Sequence, residues 1–177
     1  MVRRAQRGVD MPTAQEANSV IEQTVNRDLN KITQEIESRA FRASNELANA
    51  IIYILRGQRS GKRYKIPGTY RKHADGTGRM IKKRNGVYYT ASAPGEAPAN
   101  RTGMFRASWK RRSFATRLSG RLEVTASIES NLKVGSKLLG DVLEKGSKRG
   151  LAPRPYKQAV IDRAMPRIDI IYRKPYL

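Results

Sequence analysis

Residues able to do covalent or metal chemistry are few in this chain, and they are scattered. There is no Cys and a single His, His73. That removes thiol nucleophiles, disulfide frameworks and the commonest zinc sets, and leaves only carboxylates for hard cations. A nuclease or hydrolase that works through a metal needs carboxylates that converge. Here the 15 acidic residues are spread along the sequence, and His73 has no evident partner. Glu96, Asp141 and Glu144 are the residues whose substitution would test an enzymatic reading. The expectation is a protein that is not an enzyme and needs no cofactor or metal.

What remains is charge. The 177 residues carry a net +21 with a pI near 10.9, and the charge is unevenly placed. Residues 1–56 sum to +1, residues 57–112 to +13 and residues 113–177 to +7. Such a concentration repels itself in an isolated compact monomer and favours an anionic partner, either DNA phosphate or an acidic protein surface. Lys62, Arg63, Lys65, Arg71, Lys72, Lys82, Lys83 and Arg84 are the candidate contacts. No helix-turn-helix, zinc or RNA-binding signature accompanies them. Binding of nucleic acid would therefore be non-specific, directed at the backbone and sensitive to salt.

The elements that must carry these residues can be read from periodicity. Apolar positions at 21, 25, 29, 32, 36, 40, 43, 47, 51 and 54 step by 4, 4 and 3 in rotation. This 11-residue repeat, about 3.67 residues per turn, predicts one nearly straight helix from Met11 to Arg56. Pro12 suits its first turn, Thr13 and Asn18 are alternative caps, and Gly57 ends it. At about 1.5 Å per residue the helix is longer than a domain of this size is wide. Its stripe then either covers its own sheet along the whole length or meets neighbouring subunits with part of it.

Residues 57–75 mix Gly, Pro and basic side chains without a period and read as an extended arm or loop. Arg79 to Lys83 and Val87 to Ala91 flank Arg84-Asn85-Gly86, and Asn-Gly is a strong signal for a type I′ turn, so a basic β-hairpin is expected there. Ser92 to Gly103 is too rich in Pro and Gly for helix or central strand. Met104 to Phe114 reads as a helical turn or loop entering a strand. Residues 117–120 read as a turn, and Arg121 to Ile128 as the partner strand, with Leu122, Val124, Ala126 and Ile128 on one face. Lys133 to Ser136 is a candidate third strand, and Leu138 to Lys145 a short helix or turn. Ala152-Pro153-Arg154-Pro155 forces extended backbone before a helix from Tyr156 to Ala164, which Pro166 kinks or restarts, and the apolar end of the chain should be ordered in an assembly.

The expected fold is α+β: a long N-terminal helix packed on a small antiparallel sheet, with a basic hairpin or arm and a C-terminal helix. It divides into 1–56, 57–91 and 92–177 within one domain. Only 38% of residues are hydrophobic, so part of the chain is expected to pack on a partner. No stretch approaches the roughly 18 apolar residues of a membrane span, and the first residues lack the apolar core of a signal peptide. Synthesis in a reducing cytoplasm, with no membrane partner, is the expectation.

Four motifs then occur in a particular order: SAPGEAPANRTGMFRASW (Ser92 to Trp109), Val134-Gly135-Ser136, Leu143-Glu144-Lys145-Gly146-Ser147, and LAPRPY (Leu151 to Tyr156). This order resembles the minor tail or tail-completion proteins of the bacteriophage head–tail connector, or neck. The residues that carry the resemblance are Pro94, Gly95, Glu96 and Pro98 in the loop, Thr102, Gly103, Arg106 and Ser108 at the turn and strand entry, and Val134 and Gly135 in the next strand. Glu144 and Gly146 carry the acidic step, and Ala152, Pro153, Arg154 and Pro155 the helix entry. Arg101 stands where an acidic residue often precedes the Thr-Gly, Met104 replaces a usual leucine, and Leu138 and Leu139 stand where tyrosine is common. The segment from 57 to 89 is also unusually basic. These departures fall in loops or on surfaces where change is cheap.

The resemblance implies a structural protein of the virion neck. It would form a homo-oligomeric ring of six or twelve around the DNA channel, touching other neck, connector and tail proteins, with the packaged DNA in the channel as a further candidate partner. A ring built by one repeated contact needs two different patches per subunit, for which the long helix and a sheet edge are candidates. The segment from Arg59 to Arg84 is a candidate arm that orders on assembly. Glu144 and Arg154 are expected to pair within the fold and set the angle of the last helix; the alternative places Arg154 on a neighbour's carbonyls or carboxylates.

Overall fold

The apolar stripe does fold as one uninterrupted helix, α1, from Ala14 to Arg56, 43 residues and about 64 Å long. The computed structural model describes residues 13–66, 69–72, 78–82, 87–118, 121–148 and 150–176, the strands at 69–72 and 78–82 and residues 117–118 by their backbone alone. Of the two candidate caps, Thr13 is the one used. Its hydroxyl accepts from the Glu16 N–H at 3.3 Å while the Glu16 carboxylate accepts from the Thr13 N–H at 2.8 Å, a reciprocal capping box. The helix therefore starts three residues later than its apolar pattern suggests, and Pro12 lies outside the described residues. Gly57 closes the other end, its N–H directed at the Ile54 carbonyl.

The basic segment is strand where an arm or loop was expected, and the hairpin has different partners. Strands β1 (Arg63–Lys65), β2 (Thr69–Lys72), β3 (Gly78–Lys82) and β4 (Tyr88–Thr90) form two nested antiparallel pairs, β2 with β3 and β1 with β4. The expected pairing of 79–83 with 87–91 across Asn85-Gly86 is not formed. Instead β3 pairs with β2, and the residues between them, 73–77 with Asp75-Gly76, lie outside the described residues, as do Asn85 and Gly86. Two turn dipeptides of comparable strength stand ten residues apart, and the longer ladder decides between them. With β2 paired on β3 and β1 on β4, backbone bonds run from Gly61 and Lys62 against Ala91 to Ile66 against Val87, and the ladder resumes at Thr69.

After the loop from Ser92 to Gly103 come a helical turn, α2 (Met104–Ala107), and the main hairpin, β5 (Trp109–Leu118) with β6 (Arg121–Ser130), in unbroken register from Trp109↔Ser130 to Leu118↔Arg121. This matches the expected strand and partner strand, but Arg117 and Leu118, expected in the turn, continue β5, and residues 119–120 lie outside the described residues. The third strand does not join that sheet. Residues 133–134 form β7, which pairs only with β8 (137–138) around Gly135, whose φ of +61° suits glycine. Helix α3 (Leu139–Lys145) follows, then α4 (Lys157–Arg173).

Helix α4 continues through Pro166 as one element, so the expected restart of the helix there does not occur. The ring costs the hydrogen bond to the Asp162 carbonyl, but Asp162 and Pro166 are both exposed, where that carbonyl is open to solvent. On the opposite face Val160, Ala164 and Ile168 keep packing and hold the helix across the defect.

The core lies where the second half of α1 crosses α4. Ala50, Ile51 and Leu55 meet Tyr156, Val160 and Ala164, with Leu47, Phe105, Trp109, Ile128 and Leu143 around them. Ala40, Ala43, Ala50 and Ala164 are all buried, and their small side chains let the helices approach closely. Phe105, Trp109 and Tyr156 form an edge-to-face triad with centroids 5.5–5.9 Å apart, tying α2, β5 and α4 together. The first half of α1, by contrast, carries its stripe into solvent: Ile21, Val25 and Leu29 are 59%, 50% and 55% exposed. The stripe thus covers its own sheet and helix for only half its length.

Candidate functional site

Most motif residues between Ser92 and Pro155 come together where the loop meets the entry to α4. Gly95 sits at φ +82°, the left-handed region that glycine adopts without penalty. This turns the Gly95 N–H toward the Pro153 carbonyl, 3.1 Å away. The turn also brings the Glu96 carboxylate onto three donors: the Ser60 hydroxyl at 2.6 Å, the Ala93 N–H at 2.9 Å and the Ser60 N–H at 3.1 Å. The Ser60 hydroxyl first, then those two amides, hold the Glu96 carboxyl below the usual carboxylate range. Its contribution to the loop is therefore present above the ordinary carboxylate pKa and is lost as pH falls through the depressed value.

Arg154 closes the loop from the other side. Its guanidinium donates to the carbonyls of Ser92 and of Ala93, the latter at 3.1 Å, and its N–H donates to Leu143 at 2.8 Å. Glu144 turns elsewhere: its carboxylate accepts from the Tyr156 N–H at 3.0 Å and the Lys157 N–H at 3.3 Å, capping the first turn of α4. The expected Glu144–Arg154 ion pair is not made. Both groups still set the last helix, through backbone groups of their own chain. Carbonyls and amides freed by the prolines needed partners more than the two charges needed each other.

The remaining motif positions are structural in the same way. Gly146, at φ +77°, has no room for a Cβ, which would stand 2.6 Å from the Leu151 carbonyl. Gly103, also at φ +82°, opens α2; Thr102 beside it accepts from the Met104 N–H at 3.4 Å. The Ser108 hydroxyl donates to the Phe105 carbonyl at 2.8 Å and lies 2.6 Å from that of Ser130. Pro98 is fully buried and Arg106 half-buried, while Pro94, Pro153 and Pro155 are exposed.

Sequence reasoning missed the partners of this cluster. Ser60 binds Glu96, the Ser92 hydroxyl accepts from the Ala99 N–H at 2.9 Å, and Arg59 bridges the Ile54 carbonyl at 2.6 Å to the Pro98 carbonyl at 3.2 Å. Nothing in a Gly- and Ser-rich basic stretch marks Arg59 and Ser60 as the ones that fold back. Beside the cluster lies an open groove of about 550 Å³, lined by Phe105, Leu132, Leu139, Leu143 and Leu151, with Arg154 at its edge. Its described lining includes the Ser92 and Thr102 hydroxyls and the side chains of Arg101 and Lys133, and holds neither a carboxylate nor His.

The basic residues form a second surface. Lys62, Arg63 and Lys65 are exposed on and beside β1, where the Arg63 guanidinium lies 4.6 Å from the Tyr88 ring centroid and the Lys62 ammonium 5.9 Å from that of Tyr64. Tyr64 stacks on Tyr89 across the ribbon at 5.8 Å. Arg71, Lys72 and Lys82 lie on β2 and β3; Lys83 and Arg84 lie outside the described residues. No helix among the described residues is long and apolar enough to cross a membrane. The chain matches no family model, no curated protein and no solved structure.

Proposed function

We propose that this is a structural protein of the phage neck, one subunit of a ring that joins or completes the tail at the head–tail interface around the DNA channel. The observation that carries the reading is the convergence of the ordered motifs. Residues as far apart as Glu96, Pro153 and Arg154 meet in one hydrogen-bonded knot that fixes loop, α3 and α4 relative to α1. A rigid frame with polar loops on one side and a long projecting helix on the other is what a ring subunit requires, since its work is geometry and no bond is made or broken. The test is a phage with this gene disrupted, together with mass spectrometry and electron microscopy of purified wild-type virions. The reading expects the protein at the neck in ring stoichiometry, and separate heads and tails when it is lost. Its absence from purified virions overturns the reading.

A second reading, a non-specific basic nucleic-acid-binding protein, is favoured by the ribbon, where exposed cations lie on tyrosine faces as they do on single-strand binding surfaces. It predicts tight DNA binding by the monomer. Replacing Lys62, Arg63 and Lys65 together with Ala should then reduce the slope of log K against log salt by about 2 to 3. A ring that forms without DNA, and a slope unchanged by the triple substitution, favours the neck.

A further inference from the structure

We infer that the open groove between α2, β7 and α3 takes the overhanging first half of α1 from a second copy of this chain. The contact would supply the repeating unit of the proposed ring, but it does not depend on the neck assignment.

The groove has an apolar floor and cationic lips. Phe105, Leu132, Leu139 and Leu143 are half-buried along it, while Met104 and Val134 are 61% and 58% exposed. Arg101 and Lys133 are exposed beside them and form no ion pair among the described residues; the Arg101 guanidinium only lies 5.9 Å from the Tyr89 ring centroid. The carboxylates on neighbouring segments are engaged elsewhere. Glu96 is held by Ser60 and the Ala93 N–H, Asp141 pairs with Lys157 at 3.1 Å, and Glu144 caps α4. An apolar groove edged by cations, with no carboxylate in its described lining, suits an amphipathic helix whose apolar stripe is edged by carboxylates.

Among the described residues, the overhang of α1 has that form. Ile21, Val25 and Leu29 recur every four residues and are at least half exposed. By helical spacing Glu22 borders this stripe on one side and Asp28 on the other, while Arg27 and Lys31 fall away from it. Glu22 has no ion-pair partner among the described residues. The pairs of Asp28 with Arg27 at 3.5 Å and Lys31 at 3.3 Å are exposed, so exchanging them costs little. Other segments fit the groove less well. The exposed Ile161 and Met165 of α4 are flanked by Asp162 and Asp169, but their helix is already packed on α1 by its other face. Residues 1–12 carry Arg3, Arg4 and Arg7 against Asp10, the wrong sign for cationic lips.

The overhang cannot reach the groove of its own chain. Arg59 ties the Pro98 carbonyl, in the groove wall, to the Ile54 carbonyl at the far end of α1. Leu29 lies about 38 Å earlier along the same continuous helix. Complementary patches so far apart on one helix can be matched only between copies. Because the patches differ, the contact is head-to-tail, and its repetition by rotation closes a ring.

The absence of Cys makes the test direct. When full chains carrying Val25→Cys are mixed with full chains carrying Val134→Cys, a short bis-maleimide should join them into one-to-one dimers on a denaturing gel, and each variant alone should stay monomeric. Reversing the overhang, Glu22→Lys with Asp28→Lys, should weaken self-association about a hundredfold by analytical ultracentrifugation, with helicity by circular dichroism unchanged. Reversing the lips, Arg101→Glu with Lys133→Glu, should do the same. The chain carrying all four changes should recover most of the lost affinity, which a merely misfolded surface would not do. A four-fold variant no better than either double overturns the inference. So does a wild-type chain that remains monomeric, or Val25→Cys that cross-links to itself. A chain that associates in this way yet is absent from virions keeps the contact and removes the neck reading alone; a monomeric chain that is found at the neck does the reverse.

Discussion

Replacing Arg39 with Ala is expected to cost about 3 kcal/mol of folding stability, close to what a buried, fully bonded charge is worth when its partners are left behind. Arg39 is 1% exposed, inside α1. Its Nη1 donates to the Lys174 carbonyl at 2.5 Å and its Nη2 to the Pro175 carbonyl at 2.6 Å. Its Nε donates to the Glu35 carboxylate at 2.9 Å, and its plane lies 3.9 Å from the Tyr176 ring centroid. One side chain thus receives the carbonyls that end α4 and pins the last residues of the chain to the middle of α1. Lys cannot replace it, because a single ammonium lacks the planar fork that reaches two carbonyls and a carboxylate at once. Urea unfolding of Arg39→Ala, of a chain ending at Arg173 and of the combination checks the account. The two changes should be strongly non-additive, since each destroys the same contact, and simple additivity would show that Arg39 and the tail act independently.

Arg39 also marks where sequence reading stops. The 11-residue stripe identified α1 because burial repeats along a helix, and the alternation of Leu122, Val124, Ala126 and Ile128 identified β6 because burial repeats along a strand. Arg39 falls beside Ile36 and Ala40 on the buried face, where a charge looks like an exception to the pattern. Its four-residue spacing from Glu35 suggests an ordinary surface pair. Only the arrival of the chain's far end turns it into a buried clamp. The basic ribbon was misread for a related reason. Asn85-Gly86 and Asp75-Gly76 both favour a tight turn, and the choice between them rests on the number of backbone bonds each leaves intact, a non-local sum.

The motif cluster was legible as a list and illegible as a shape. Gly95, Gly103 and Gly146 could be marked as turn residues, and the three do adopt positive φ. The partners of Glu144 and Arg154 could not be foreseen, because opposite charges suggest a pair while the two proline-rich segments supply carbonyls and amides that compete for both groups. Where backbone is freed by proline, charged side chains near it are better assigned to the backbone first. This also bears on assembly. In the proposed ring, a loop held at Ser60, Ala93, Pro153 and Arg154 would present a fixed surface to a neighbour, and fixed surfaces lose less entropy on binding than arms that must order.

Tyr156 should show the largest effect of any single side chain, and the two substitutions there should differ sharply. Its ring is 2% exposed at the centre of the triad with Phe105 and Trp109 and against Ile51 and Val160. Tyr156→Ala removes a fully buried ring from this cluster of α1, α2, β5 and α4 side chains, and is expected to cost about 3 to 5 kcal/mol. Tyr156→Phe keeps the ring and removes a buried hydroxyl that has no partner among the described residues. Since an unsatisfied buried hydroxyl is itself a cost, Phe should be neutral or stabilising by about 1 kcal/mol. The pH dependence gives an independent check. Burial, with the Glu144 and Asp141 carboxylates nearby, pushes the Tyr156 phenol well above its usual range. A raised pKa means the stability it contributes is complete below the unfolded value near 10 and is lost as pH rises beyond it. Thermal melts from pH 8 to 11 should therefore fall less steeply for Tyr156→Phe than for the wild type. A Phe variant that melts several degrees lower at neutral pH would show that the hydroxyl is bonded after all, and that the junction of α3 and α4 depends on it.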